Sequence, residues 1–325
     1  MSGATSVHAT GALPVRRTSE IEEATNARFI HPLSARLVTV FARWGVAPNA
    51  VSLTGMAAGL AAGVCYAEGT RPYAVCGFLL MLVWHVMDGA DGQLARLTGK
   101  FSASGKVLDG ICDYVTFIAV YVGICLATHL QFGAWVWALA GLSGVCHALQ
   151  SAAYELQRQE YDYWGYGRGV RPLKVEPESR AGGKGRGLYR FYIGVQTLLS
   201  GQAGAFGAAF DRRLAASPGQ ESALRSAYRT RFAPIVRRWS VLSANYRTFA
   251  IFLFAVCGFP LGYFLFETIG LSLVLVGLML SLRRDQKRFI MEEERSMAAR
   301  PGVIVAPPLS ATRRTGLARQ AARGP

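Results

Sequence analysis

The chain has 325 residues, of which 51% are hydrophobic and 17% are charged, and its formal net charge is +15. Soluble proteins carry about a quarter charged residues, so this composition excludes an ordinary water-soluble enzyme and indicates that lipid covers much of the surface. The hydrophobic residues are gathered in long blocks, which predicts one all-α, polytopic membrane domain.

The N-terminal part of the chain precedes the first hydrophobic block. Residues 1–24 contain Arg, Ser, Thr and Glu without a hydrophobic run, which predicts a disordered tail rather than a signal peptide. Over residues 25–44, hydrophobic residues recur every three or four positions against Arg28, Arg36 and Arg43. This pattern predicts an amphipathic helix that lies on the membrane surface.

Six transmembrane helices are predicted from the hydrophobic blocks. The first four cover residues 48–67, 73–87, 107–128 and 132–153. The last block, residues 249–282, is too long for one span and contains Pro260, Glu267 and Gly270, so we expect it to divide near Glu267 into spans five and six.

The distribution of Lys and Arg predicts the orientation. Arg71 is the one basic residue in the three short loops on one side, so the positive-inside rule places both termini and the other loops in the cytoplasm, as expected in the cytoplasmic (inner) membrane. We therefore divide the chain into a tail (1–24), the surface helix with spans one to four (25–153), a basic insert (154–245), spans five and six with their cytoplasmic end (246–290), and a basic disordered tail (291–325).

The insert contains 15 Lys and Arg. Residues 161–186 are expected to be irregular. Residues 188–210 are hydrophobic enough to suggest a seventh span, but a crossing there would leave basic clusters on both sides of the membrane. We expect an interfacial or re-entrant helix instead.

Four aspartates lie where the second and third spans meet the cytoplasmic side: Asp88 and Asp91 end one span, and Asp109 and Asp113 begin the next. Residues three and four apart share a helix face, so a hairpin would bring the two pairs together. Because four close carboxylates cannot all ionise unaided, the cluster predicts one or two hard divalent cations with oxygen ligands. Carboxylates at a membrane edge also indicate a functional site.

Small residues accompany the aspartates. Gly92, Ala95 and Gly105 would leave room for a phosphate-bearing ligand to approach the backbone, beside Arg96.

From Asp88 to Asp113 the sequence reads D-x2-D-G-x2-A-R-x8-G-x3-D-x3-D, which resembles the signature of the CDP-alcohol phosphotransferase (CDP-alcohol phosphatidyltransferase) family of membrane enzymes. The resemblance implies transfer of a substituted phosphoryl group from a CDP-activated donor to an alcohol, with release of CMP, by a homodimer. It also implies that the four aspartates hold Mg²⁺ or Mn²⁺, with Asp113 as general base for the acceptor hydroxyl.

The same resemblance implies that Gly92, Ala95, Arg96 and Gly105 shape the pocket for the CDP moiety. Asn49 and Ser52, at the start of span one, are weaker candidates for donor contacts.

The sequence indicates the acceptor alcohol less clearly than it indicates the CDP-activated donor. Lys100, Lys106 and Arg247 could hold an acceptor phosphate, as similarly placed cations do in the inositol-phosphate branch, or could serve only as positive-inside anchors. The preferred hypothesis is transfer from CDP-diacylglycerol to a polar alcohol such as inositol phosphate or glycerol phosphate. The alternative is transfer from a soluble CDP-alcohol such as CDP-choline to diacylglycerol or ceramide.

Two other classes of protein fit the sequence less well. An ion transporter would need ionisable residues deep in several spans, whereas spans four and six contain no acidic residue. A nucleic-acid binder would rest only on the basic insert, for which anionic lipid is the simpler partner. His85 and His147 could support the site or form ordinary interhelical hydrogen bonds.

Overall fold

The computed structural model describes residues 18–100, 102–169, 203–216 and 218–298, and this part of the chain is helical with no strand. The α-helices are α1 (His31–Arg43), α2 (Pro48–Ala67), α3 (Arg71–Thr98), α4 (Ala103–Phe132), α5 (Trp135–Tyr166), α6 (Ala203–Ala216), α7 (Glu221–Arg238), α8 (Ala244–Val256), α9 (Leu261–Leu265) and α10 (Ser272–Ala298). The all-α fold class is confirmed.

The predicted surface helix corresponds to a π-helical turn at Asn26–Ile30 followed by α1. The helix packs on α3, where the Ser34 hydroxyl donates to the carbonyl of Val86 at 2.8 Å. Gly89 lies against the same serine, since a Cβ there would be 2.7 Å from Ser34 Oγ. The α1 helix is thus fixed beside the aspartate motif, and its depth in a membrane stays a prediction.

Residues 18–24 are more ordered than the predicted tail. A short 3₁₀ helix covers Ser19–Ile21, and both Ile21 and Glu23 are buried. The apolar side chain of Ile21 packs with residues of α5 and α7, which compensates the entropy of ordering this segment. Residues 1–17 of the predicted tail lie outside the described part of the chain.

Small residues allow α2 to pack closely against α4. A Cβ on Gly63 would lie 2.5 Å from the carbonyl oxygen of Ala119, a separation that no real side chain adopts. Glycines let helix backbones approach in membranes, where dispersion contacts replace the hydrophobic effect as the driving force. This contact sets the spacing of the helices that carry the site.

Among the residues that the structure describes, four helices are long and apolar enough to cross a membrane, namely Pro48–Ala67, Arg71–Thr98, Ser104–Phe132 and Leu261–Ser296. A fifth crossing results if Glu221–Leu242 and Ala244–Val256, bent by 40°, form one span. The chain is a multi-pass membrane protein, while the count of six spans stays a prediction. The predicted fourth span lies in α5, where His147 and Gln150 lower the hydropathy.

The predicted division near Glu267 was wrong. The chain breaks between Val256 and Leu261, where Gly258 has a φ of +81° and Pro260 precedes the next helix. Glu267 lies in a π-helical turn, Phe266–Leu271, within the continuous helix Leu261–Ser296. Its carboxylate is satisfied by Arg247 inside the protein, so the helix has no need to break there.

Helix α5 continues beyond residue 153 to Tyr166, into the segment that we expected to be irregular. Its end packs with α6, α7 and the end of α10 around an aromatic cluster: Trp164, Phe206, Phe210, Tyr228, Phe232 and Phe289. The insert thus contributes a packed helical unit. The prediction for residues 188–210 falls largely outside the described residues. The predicted disordered tail, 291–325, begins in fact as helix, since α10 continues to Ala298, and residues 299–325 lie outside the described part of the chain.

Candidate active site

Three of the predicted metal ligands converge between α3 and α4. One carboxylate oxygen from each of Asp88, Asp91 and Asp109 lies within 4.8 Å of the other two. Asp91 is buried, whereas the other two aspartates are half-buried. A set of carboxylate oxygens of this kind suits a hard divalent cation and would repel itself without one.

Asp113 lies one helical turn after Asp109 on α4 and faces the same cavity. It is outside the group of three whose oxygens approach within 4.8 Å. The structure thus separates three candidate metal ligands from a fourth carboxylate that faces the same space.

The start of α2 contacts the aspartate motif. The buried Ser52 hydroxyl donates to Oδ2 of Asp91. Nearby, Ser102 caps α4 by accepting from the amide of Gly105 at 2.9 Å, and a Cβ on Gly105 would lie 3.2 Å from Oδ1 of Asn49. Ser52 is therefore placed to orient an aspartate, and Asn49 to restrict position 105.

A cavity of about 700 Å³ extends from the aspartates into the protein. Asp88, Asp91, Asp109 and Asp113 line one end. The remainder is bounded by residues 18–31, by the face of α5 that carries His147 and Arg158, and by the start of α8. The volume is in the usual range for a small-molecule site.

The residues predicted to contact CDP do not all face this cavity. Gly92 and Arg96 line it, whereas Ala95 and Gly105 are outside its lining. A Cβ on Gly92 would meet only the Arg96 guanidinium, at 3.5 Å. Packing within the protein would therefore tolerate a Cβ at position 92.

The predicted acceptor cations are not brought together. Lys100 and Lys106 are exposed and do not line the cavity. Arg247 is fully buried and forms a salt bridge to Glu267 at 3.2 Å. It also donates to Gln150 Oε1 at 2.8 Å and to the carbonyl of Leu242. These partners occupy the guanidinium within the protein.

The sequence does not decide the role of the two histidines, and in the structure both have hydrogen-bond partners on other helices. His85 Nε2 is 2.9 Å from the Thr248 hydroxyl, and His147 Nδ1 is 3.1 Å from the Tyr121 hydroxyl. Both imidazoles line the cavity, beside the aspartates and on α5 respectively. Their contacts connect helices, and neither is in the group of candidate metal ligands.

Several cavity residues were missed by sequence reasoning: Glu22, Glu23, Asn26, Glu155, Arg158 and Asn245. The first three lie within the N-terminal segment read as a tail and the start of the predicted surface helix. One signal was available, since Glu20, Glu22 and Glu23 form an acidic run at the start of a chain with net charge +15.

The chain is similar in sequence to a known protein family and to individual proteins. Residues 45–175 match the family model for CDP-alcohol phosphatidyltransferase. The chain is 30% identical over 110 residues to cholinephosphotransferase 1 of Gallus gallus, covering 31% of this chain and 32% of that protein. It is 27% identical over 109 residues to CDP-diacylglycerol–serine O-phosphatidyltransferase of Mycobacterium leprae, covering 34% and 35%.

A third relative is the inner membrane protein YnjF of Escherichia coli, 28% identical over 138 residues, with 42% of this chain and 65% of that protein covered. The chain thus matches about a third of the length of the first two relatives and less than two thirds of the third.

Proposed function

We propose, from the membership of residues 45–175 in the CDP-alcohol phosphatidyltransferase family, that this chain transfers a substituted phosphoryl group from a CDP-activated donor to an alcohol and releases CMP. The observation that carries this proposal is the convergence of Asp88, Asp91 and Asp109 at the end of a 700 Å³ cavity. A diphosphate-containing donor needs such a site, because its negative charge must be neutralised where the bond to CMP breaks.

The donor atoms at the site fit Mg²⁺ or Mn²⁺. The three grouped side chains offer carboxylate oxygens, which these hard cations prefer, and none is a thiolate or an imidazole. Asp88, Asp91 and Asp109 would hold the metal, with Asp113 able to contribute from the next turn of α4. One or two bound ions would supply charge neutralisation at the diphosphate.

Asp113 is proposed as the general base. Its carboxylate would accept the proton of the acceptor hydroxyl as that oxygen attacks the phosphorus that carries the transferred group. A phosphorus–oxygen bond forms to the acceptor and the bond to CMP breaks, with CMP leaving as the anion. Gly92 and Arg96, which line the cavity, would contact the CDP moiety.

One substrate is proposed to be a lipid that enters from the side of α4. Tyr114 and Ile118 line the cavity yet remain 65% and 59% exposed on the helix surface. An acyl chain can lie against such a surface while its headgroup reaches the aspartates. This arrangement suits a CDP-diacylglycerol donor with a polar alcohol acceptor, the preferred assignment.

A soluble CDP-alcohol donor with a lipid alcohol acceptor is the second candidate, since it would use the same lateral opening. The relatives include proteins named for both types, a cholinephosphotransferase and a CDP-diacylglycerol–serine O-phosphatidyltransferase. We further propose a homodimer in the cytoplasmic membrane, with the aspartates on the cytoplasmic side.

The test is CMP release by the full chain in lipid nanodiscs with Mg²⁺, Mn²⁺ or neither. CDP-diacylglycerol and CDP-choline are each combined with polar and lipid alcohols, and Asp91→Asn is the control that removes a grouped carboxylate. We expect metal-dependent CMP release that the control lacks. Equal CMP release by the control, or no release from any pair, would contradict the proposal.

A further inference from the structure

The part of the cavity lined by the N-terminal segment and α5 has an unusual charge arrangement. Glu22 and Glu23 reach it from the N-terminal segment, and Glu155 and Arg158 reach it from α5. Glu23 is the most enclosed of the four, with 3% of its surface exposed.

Two of the three carboxylates in this part of the cavity contact a basic side chain. Glu22 lies 2.5 Å from Nδ1 of His31, and Glu155 lies 3.1 Å from the Arg158 guanidinium. Within the described part of the chain, Glu23 has no such ion pair, and neither of its carboxylate oxygens has a hydrogen bond of normal geometry.

The groups nearest to Glu23 are neutral. Burial raises the pKa of the Glu23 carboxyl above its ordinary value, while polar contacts with Ser243, Asn245 and Thr25 and the charge of Arg158 lower it by less. The Asn245 amide is already engaged, since it donates to Asn26 at 2.8 Å. A buried carboxylate without a cation is costly. Among the described residues none forms an ion pair with Glu23, and its position in the cavity lining allows a bound molecule to supply the cation.

We propose that Glu23 binds the positively charged amine of the water-soluble substrate. An ammonium group supplies both the charge and the hydrogen-bond donors that Glu23 lacks. A phosphate would instead face Glu22, Glu23 and Glu155, with Arg158 already paired to the last of these. The inference rests on the proposed function and narrows its substrate class to amino alcohols, away from phosphorylated polyols.

The positions of the cations that were predicted to bind an acceptor phosphate also favour an amino alcohol over a phosphorylated polyol as substrate. Lys100 and Lys106 do not line the cavity, and Arg247 is enclosed by Glu267 and Gln150. The described cavity therefore lacks the cations that the sequence suggested for an acceptor phosphate.

The amine could belong to either soluble substrate. In one case it is carried by an amino alcohol that accepts from CDP-diacylglycerol, and in the other by the alcohol of a CDP-activated donor. Glu23 would bind the amine in the same way in both cases, so the experiment tests an amino alcohol acceptor and a CDP-activated donor separately.

CMP release is measured with CDP-diacylglycerol and each of serine, ethanolamine, inositol and glycerol 3-phosphate, and with CDP-ethanolamine and diacylglycerol. The protein is the wild type, Glu23→Gln, Glu23→Asp or Glu68→Gln, the last removing an exposed carboxylate in the turn between α2 and α3. We expect turnover with an amine substrate. Glu23→Gln should raise its KM by about tenfold or more, because a charge-assisted hydrogen bond is lost.

The KM of the lipid substrate should stay within about twofold in Glu23→Gln, since that variant leaves the aspartate end of the cavity intact. Glu23→Asp should fall between wild type and Glu23→Gln, and Glu68→Gln should match wild type. Turnover restricted to inositol or glycerol 3-phosphate, or an unchanged amine KM in Glu23→Gln, would overturn the amine site while leaving the proposed function standing.

A binding measurement separates the two proposals if no pair yields CMP. The melting temperature of wild type and Glu23→Gln is measured with and without serine, ethanolamine and CDP-ethanolamine. Stabilisation by one of these amines in wild type that is lost in Glu23→Gln supports the amine site even where the proposed activity fails. No amine stabilisation, or an equal shift in both proteins, overturns it.

Discussion

The hydroxyl of Ser52, at the beginning of α2, donates a hydrogen bond to Oδ2 of Asp91 on α3. Asp91 is in turn grouped with Asp109 on α4. Three consecutive helices thus meet at one carboxylate, and the serine holds it in the orientation that its neighbours require.

Ser52→Ala should weaken divalent-metal activation without preventing folding. Loss of one hydrogen bond to a carboxylate costs about 1.5–3 kcal/mol, which predicts a metal requirement raised by about tenfold or more. The measurement is the Mg²⁺ dependence of CMP release. The control is Thr54→Ala, since Thr54 is exposed and donates within its own helix to Ala50. An unchanged Mg²⁺ requirement in Ser52→Ala would refute the role of this serine.

Asp113→Ala should retain CDP binding but lose turnover. General-base catalysis contributes about 10²–10⁴-fold, and Asp113 lies outside the three grouped carboxylates. CMP release should therefore fall by about a hundredfold or more, while CDP in the presence of Mg²⁺ still raises the melting temperature. A rate near that of wild type would show that another group accepts the proton.

Glu267→Ala should destabilise the fold strongly. It leaves the fully buried Arg247 without its carboxylate partner, and breaking a buried pair from one side costs about 3–5 kcal/mol. The double variant Arg247→Met with Glu267→Leu should be more stable than Glu267→Ala, because both charges are removed. Thermal unfolding in detergent measures this, and equal melting temperatures for Glu267→Ala and wild type would show that the pair is dispensable.

Gly63→Ala should separate α2 from α4. Its Cβ would lie 2.5 Å from the carbonyl of Ala119, so the helices must move apart and the protein should melt at a lower temperature. Gly141→Ala, on α5, is the matched control because nothing lies within 4 Å of its new Cβ. That control should be neutral or stabilising, by up to about 1 kcal/mol from helix propensity. The reverse order of melting temperatures would contradict the packing.

Amine binding should weaken as the pH falls. Burial raises the pKa of Glu23 above the ordinary value of 4.5, so its carboxylate takes up a proton at a higher pH than an exposed glutamate does. Affinity for the amine should thus be full above that raised pKa and decline below it. Glu22, His31, Glu155 and Arg158 also line this part of the cavity and are present in both proteins. The measurement compares the pH dependence of the amine KM in wild type and in Glu23→Gln. The KM should rise more steeply at low pH in wild type, and identical profiles would contradict a role for the Glu23 carboxylate.

The sequence by itself determined the fold class, which was confirmed, and a resemblance to the CDP-alcohol phosphatidyltransferase family, whose model matches residues 45–175. Hydrophobic blocks set the helical, membrane-spanning character because every backbone polar group in lipid must be satisfied within the helix. The fixed spacing from Asp88 to Asp113 predicted a cluster of carboxylates, because a helix converts intervals of three and four into one face, and three of the four aspartates converge.

Only the tertiary structure decided which distant residues share the cavity. Arg247 looked like a ligand-binding cation in the sequence, but helix packing brings Glu267 and Gln150 to it and removes it from solvent. Glu23 looked like part of a tail, but the burial of neighbouring Ile21 against α5 and α7 places it over the cavity. Such pairings depend on helix packing between residues far apart in the chain, which local periodicity does not encode.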